Sequence, residues 1–234
     1  MTTAIILAGG LGTRLRETIP NLPKPMAPIN GRPFLEYQIA YWAAQGVENF
    51  ILSVGYKHEI IIEHFGTTWQ GMSIKYVVEQ VPLGTGGGLL LAAEGIEDDF
   101  LVLNGDTFFE VDLKVLNQFH AERQSEWTFA LFRTSEVGRY MGMEISTSGA
   151  IDALQSNMEQ SGRLANGGAY LLEASVLDRY NSGGKEKISL EGDILPNLHY
   201  QGSRLYGVEQ HGRFIDIGLP QDYDRASQML SKIQ

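Results

Sequence analysis

The chain reads as an α/β fold: a Rossmann-like, mostly parallel sheet flanked by helices, with a small antiparallel extension. Three observations lead there. Strand-like and helix-like patterns alternate through the first half, the rhythm that builds a parallel sheet with helices on its faces. Loops rich in glycine or carrying a carboxylate follow those strands directly, where such sheets bind ligands. After about Glu136 the pattern changes to shorter strands broken by glycines.

Residues 4–7 form an apolar strand that breaks at Gly9-Gly10. Residues 34–45 repeat apolar side chains at helical spacing and stop at Gly46, a residue suited to a helix end. Residues 49–54 are a second strand, 57–65 a helix, 74–78 a third strand, 87–94 a helix and 100–103 a fourth strand. In the second half, strands are expected over 140–146, 164–172 and 203–208, and helices over 190–198 and 221–230. This half reads as an extension closing over the crevice at the strand ends. No linker, repeat or low-complexity segment separates the halves.

Composition excludes several classes. The chain has 234 residues, 43% of them hydrophobic, enough for a sizeable core in one domain. Its longest apolar runs are only of strand length, so no membrane span is expected. It has no cysteine, hence neither disulfides nor thiolate metal sites, which fits a cytoplasmic protein. A net charge of −10 argues against a nucleic-acid-coating surface. A polyanionic ligand would need a few placed cations and a divalent metal.

The residues that carry chemistry begin with the loop after the first strand. Gly9, Gly10 and Gly12 bring backbone N–H groups close to a ligand, and Thr13 and Arg14 follow. Amides plus a cation suit phosphate groups. The spacing is not the dinucleotide fingerprint, which would need glycine at Leu15, nor a P-loop. Lys24 stands between Pro23 and Pro25, and prolines restrict the backbone on either side. Residues 82–88 hold four glycines in five positions, more than a helix start needs, and close approach by a ligand is the expected reason. Asp106 ends one apolar run and Asp216 lies in another. Two such carboxylates beside a phosphate loop match magnesium, which takes one or two carboxylates plus phosphate oxygens and waters. The five histidines are scattered and no serine sits in a nucleophile elbow, so nucleophilic catalysis is not indicated.

Together these residues resemble the sugar-1-phosphate nucleotidyltransferases. That family's G-G-x-G-T-R-L stands at 9–15, its P-K-P-M at 23–26, its P-L-G-T at 82–85, its strand-end G-D at 105–106 and its late D-x-G at 216–218. The likeness runs in order over nearly the whole chain. Within the family, the wording at 83–87, 103–109, 166–172 and 214–218 is similar to the branch that guanylylates a manno-heptose 1-phosphate.

The resemblance implies a glycosyltransferase-A-like nucleotidyltransferase fold in one domain, 1–234. About 1–135 would be the nucleotide-binding core, about 136–218 the sugar-binding part and 219–234 a C-terminal helix. It implies GTP and a sugar 1-phosphate as substrates and Mg2+ as cofactor, with Asp106 and Asp216 as metal ligands. Arg14 and Lys24 would be catalytic. Leu7, Ala8, Gly9, Gly10, Gly12, Thr13, Glu79, Pro82, Gly84 and Thr85 would bind the nucleotide, and Gly86, Asn104, Gly142, Asn166 and Arg163 the sugar. Glu79 has a reason to prefer guanine, whose N1–H and exocyclic amine are adjacent donors.

One departure stands out. Family members usually carry a Glu-Lys pair about ten residues before the N-x-G-x-Y strand, the lysine meeting the sugar phosphate. Here that region reads Ala153-Leu154-Gln155-Ser156-Asn157, without lysine, and Arg163 is the candidate replacement. Competing readings are mannose-1-phosphate guanylyltransfer, thymidylyl- or uridylyltransfer, and a catalytically silent nucleotide-sugar sensor. A homo-oligomer stays open, with residues 119–127 and 158–163 either interface or plain surface.

Overall fold

The computed structural model describes residues 2–10, 12, 15, 19–136, 139–155 and 162–231. Thr13 and Arg14 therefore lie outside the described residues, as does all of 156–161. The parallel core consists of β1 (Thr2–Ala8), β4 (Val47–Val54) and β6 (Met72–Val78), with β7 (Phe100–Asn104) on the other side of β1. Register pairs Ile5 with Ile51 on one side and Val102 on the other. Ala4, Ile5 and Ile6 are wholly buried, because helices cover both faces of a parallel sheet and its strands need apolar side chains on both.

The helices of this half are α1 (Phe34–Ala43), α2 (His58–Phe65) and α3 (Gly84–Ala92). Two short hairpin pieces, β2 (Pro28–Ile29) and β3 (Arg32–Pro33), precede α1, and β5 (Thr68–Trp69) edges the sheet beside β6. α1 opens after Pro33 and gives way at Gly46, which holds φ +96°. The third helix starts at Gly84 rather than at residue 87.

Beyond β7 the sheet turns antiparallel. The long β12 (Arg163–Leu172) pairs β7 through Ala169–Leu103 and neighbouring registers, and also pairs β9 (Trp127–Thr134) and β10 (Gly142–Ile145). β11 (Ile151–Gln155) follows β10, and β13 (Leu205–Glu209) runs parallel to β9. The sequence pattern does not predict strand β9, whose first residue belongs to the 119–127 stretch expected at an interface or surface. Six of its eight positions before Arg133 are buried without a break, and a doubly covered strand lacks the alternation that marks a half-exposed one. Trp127 packs in the core against Phe129 and Tyr170.

α4 (Leu113–Arg123) is capped by Asp112, which accepts from Val115 N–H at 3.1 Å. The expected helix over 190–198 is a π-helical turn, Leu190–Ile194, running into α5 (Leu195–Tyr200). A last helix, α6 (Pro220–Leu230), packs with α1 around Leu15, Phe34, Phe108 and Ile215. Finally, β8 (Thr107–Phe109) pairs antiparallel with β14 (Phe214–Asp216), which sets Asp216 opposite Thr107. That pairing decides the site, because it brings Asp216 alongside Asp106.

Candidate active site

The carboxyl ends of β1, β4 and β7 open on one crevice. β1 hands over to Gly9-Gly10, and β7 to Gly105-Asp106, whose Gly105 N–H donates to the Leu7 carbonyl at 3.0 Å. Three adjoining cavities make up the crevice. The central one, about 310 Å³, is lined by Leu7, Ala8, Gly10, Gly12, Lys24, Thr85, Asn104, Asp106, Glu191 and Gly218 among others. A second, about 340 Å³, shares Leu7, Gly10, Gly12 and Thr85 with it and adds Gly9, Ser53, Glu79, Pro82, Gly84, Gly88 and Lys187. The third, about 180 Å³, shares Asn104, Asp106 and Glu191 and adds Arg139, Tyr140, Asn166, Gly168 and Asp216.

Lys24 is at the centre of the charge arrangement. The prolines around it open a short 3-10 turn, and its side chain is only 10% exposed. Its ammonium donates to Asp106 Oδ2 at 2.6 Å and stands 3.9 Å from Asp216 Oδ1. Asp216 Oδ1 also accepts from Gly218 N–H at 2.6 Å. Burial, reinforced by the Asp106 charge, pushes the Asp216 carboxyl above the usual range despite Lys24. Two carboxylates thus share one cation. A divalent ion would relieve the same repulsion, and the donor set of two hard oxygens fits magnesium, which completes its shell with phosphate oxygens and water. Among the described residues no three acidic or histidine side chains cluster into a cage.

Glu79 faces the second cavity from the end of β6. Its Oε2 accepts from Leu83 N–H at 3.0 Å and its Oε1 from Ser53 Oγ–H at 3.3 Å. A side chain at Gly9 would collide with it, since a Cβ there lies 2.1 Å from Oε1. Glu79 is therefore a positioned carboxylate, not a solvated loop residue. Two of its roughly four acceptor directions remain for a ligand.

The glycine cluster meets packing demands within the protein as well as bordering the crevice. Gly84 holds φ +79° and a Cβ there would lie 2.5 Å from the Ile188 carbonyl. That carbonyl accepts from Gly86 and Gly87 N–H at 2.9 and 3.2 Å, and Ile188 N–H donates to the Leu83 carbonyl at 2.8 Å. Packing of the 188–190 segment onto the loop demands small residues at Gly84 and Gly86, whereas a Cβ at Gly88 would lie 2.9 Å from Glu79 Oε1 and Ser53 Oγ. Gly84 and Gly88 also border the second cavity, whereas Gly86 packs under Ile188 and Ile194 and lines none of the three.

Of the other expected site residues, Leu7, Ala8, Gly9, Gly10, Gly12, Pro82, Thr85, Asn104 and Asn166 line the crevice. Asn166 is held by a bond from its Nδ2 to Tyr170 OH at 2.9 Å. Gly142 begins β10, and Arg163 pairs with Glu144 at 3.3 Å at the start of β12; neither lines a cavity of the crevice. Three residues went unremarked in the sequence. Arg139 lines the third cavity, bonded to Asp222 at 2.5 Å and 3.6 Å from Asp216. Lys187 borders the second cavity. Glu191, on the π-helical turn, borders both the central and third cavities, and burial, with Asp106 nearby, pushes its carboxyl up. Only the general rule that crevices at strand ends collect charges could have hinted at them.

Comparison with known proteins agrees with this geometry. The chain is 41% identical over 228 residues to D-glycero-alpha-D-manno-heptose 1-phosphate guanylyltransferase of Aneurinibacillus thermoaerophilus, covering 97% of each chain. It is 38% identical to the protein of the same name from Campylobacter jejuni, covering 94% of this chain and 96% of that one. The crystal structure of HddC from Yersinia pseudotuberculosis superposes with a TM-score of 0.85 at 33% identity, over 97% of this chain and 99% of that one. A second structure of that protein, complexed with GMP-PN, gives a TM-score of 0.84. The nucleotidyl transferase family profile matches residues 3–233, and with the crevice, its paired aspartates and its lysine in place, the chain belongs to that family.

Proposed function

We propose that the protein transfers GMP from GTP to D-glycero-α-D-manno-heptose 1-phosphate, giving GDP-heptose and pyrophosphate. The observation that carries the transfer chemistry is Lys24, which lines the central cavity and is held between Asp106 and Asp216. Two relatives matching 97% and 94% of this chain bear the heptose name. The Glu79 carboxylate supports guanine as the base: it can accept N1–H and the exocyclic amine, whereas uracil and thymine set a carbonyl beside N3–H. With GTP as donor, a cytoplasmic setting is the natural one.

In the reaction, a phosphate oxygen of the sugar 1-phosphate attacks the α-phosphorus. The new P–O bond forms as the bond to the β-phosphate oxygen breaks, and its electron pair leaves with pyrophosphate. The nucleophile is already an anion at neutral pH, so no side chain needs to take a proton. What the protein supplies is positioning and charge. The Gly10 and Gly12 backbone would meet the phosphates, with Arg14 on the leaving pyrophosphate. Lys24 would neutralise charge at the α-phosphate. Asp106 and Asp216 would hold Mg2+, which when bound offsets triphosphate charge next to an acidic chain. In a chain without the lysine of the family pattern, Arg139 borders the sugar side beside Asn166.

The test is pyrophosphate release from GTP, dTTP, UTP and CTP, each with heptose, mannose and glucose 1-phosphates. Highest kcat/KM for GTP with the heptose is expected. A preference for mannose 1-phosphate or for dTTP would overturn the sugar or the base assignment.

A further inference from the structure

We propose that Glu191 reads the sugar itself, its carboxylate accepting from the hydroxyls on C2 and C3 next to the anomeric phosphate. The inference rests on the sugar-1-phosphate guanylyltransferase reading and deepens it by naming a residue that selects the acceptor.

Three observations carry it. First, position: besides Asn104 and Asp106, Glu191 is the one residue common to the central and third cavities. It therefore stands where the nucleotide side opens into the sugar side. The bond being made joins the α-phosphorus to the anomeric phosphate at that junction, so the hydroxyls nearest C1 are those that reach back to it. Second, lack of partners: Glu191 makes no ion pair and accepts no bond from another residue among those described, and only its own backbone N–H is at hand. A half-buried carboxylate without donors is unfavourable until a ligand supplies them. Sugar hydroxyls are neutral donors, and two vicinal ones in the manno arrangement lie gauche, so both can converge on one carboxylate.

Third, aim. The turn carrying Glu191 is tied to the nucleotide loop by Leu190 N–H donating to Thr85 Oγ1 at 2.9 Å and by the Ile188–Leu83 bond. Ser189 Oγ accepts from Gly192 N–H at 3.0 Å, and Asp193 Oδ2 from Ser189 N–H at 2.7 Å. The turn itself is π-helical, its Ile194 N–H donating to the Ser189 carbonyl at 3.2 Å, a distortion often found at functional sites.

The experiment compares wild type with Glu191→Gln, which keeps size but replaces one acceptor oxygen with a donor. Pyrophosphate release is followed with GTP and heptose 1-phosphate, and with 2-deoxyglucose 1-phosphate, which lacks the C2 hydroxyl. The KM for the heptose 1-phosphate should rise about 10- to 100-fold, the range for a lost hydrogen bond to a charged group. The KM for GTP should stay within about twofold, and the penalty should shrink on the deoxy sugar, as a direct contact requires. An unchanged heptose KM overturns the proposal, as does an equal loss on GTP and on both sugars, the signature of a merely structural role. Calorimetric GTP binding without sugar checks that the variant is folded. Failure of the enzymatic reading looks different: wild type then releases no pyrophosphate with GTP and the heptose 1-phosphate. Calorimetry of sugar 1-phosphate binding still compares the two proteins in that case, and equal affinities overturn the role of Glu191.

Discussion

Replacing Lys24 with methionine tests the centre of the site in two independent ways. The ammonium is 10% exposed and contacts Asp106 at 2.6 Å, with Asp216 at 3.9 Å. Methionine preserves the packing volume but leaves two carboxylates facing each other. Breaking a fully buried pair by removing one partner costs about 3–5 kcal/mol. The Asp106 side chain is 40% exposed, so water screens much of that penalty, and about 1–2 kcal/mol is the reasonable figure. For a chain of 234 residues this corresponds to a fall in unfolding midpoint of about 2–8 °C. Added Mg2+ should restore part of the loss, because a divalent ion held by Asp106 and Asp216 replaces the missing charge. Turnover should not return with it. A preorganised cation that gains strength as charge builds at the α-phosphate contributes several kcal/mol, so kcat should drop at least about 100-fold with only a modest rise in the KM for GTP. Calorimetric unfolding with and without Mg2+, paired with pyrophosphate-release kinetics, reads both effects. Unaltered turnover in Lys24→Met would refute the catalytic role, and an unfolding midpoint indifferent to Mg2+ would refute the shared aspartate site.

Four further outcomes can be checked. Asp106→Asn or Asp216→Asn should lower turnover by orders of magnitude with the far-ultraviolet circular dichroism unchanged; near-normal activity at ordinary Mg2+ would remove that aspartate from the mechanism. Glu79→Gln should weaken GTP use by about 10- to 100-fold, the loss of a charge-assisted pair, and narrow the gap to dTTP and UTP; a persistent GTP preference would move base selection to backbone contacts. Arg14→Ala should impair both GTP binding and turnover, separating it from Lys24 in steady-state kinetics. Glu110→Gln should loosen the β8–β14 pairing, because Glu110 accepts from Arg213 at 2.8 and 2.5 Å. Those bonds from Arg213 hold the Glu110 carboxyl below its ordinary range, so its contribution is present above the unfolded-state pKa near 4.3 and disappears as pH falls through the lower folded value. The variant should therefore be less stable by about 1 kcal/mol at pH 7, with the difference vanishing in acid; a difference that persists at low pH would assign the effect to packing.

What the sequence determined by itself was everything written in short-range pattern. Period and punctuation located β1, β4, β6 and β7, whose apolar runs end in glycine or acid, and ordered motifs singled out Lys24, Asp106, Asp216 and Glu79 as one chemistry. The tertiary structure decided what depends on register between distant segments. Strand β9 is buried on both faces and so carries no alternation. Asp216 reaches Asp106 only because β14 pairs β8. Gly86 is small because the 188–190 segment lies on its loop, with partners 105 positions apart in Leu190 and Thr85. Arg139 and Glu191 look like solvated surface residues in the chain. They enter the crevice because the antiparallel half folds back across β7, bringing Arg139 to Asp222, 83 positions away, and Glu191 to the edge of the nucleotide cavity. Local backbone preferences extend over a few residues, whereas a shared crevice is set by sheet order, and sheet order is a property of the whole folded chain.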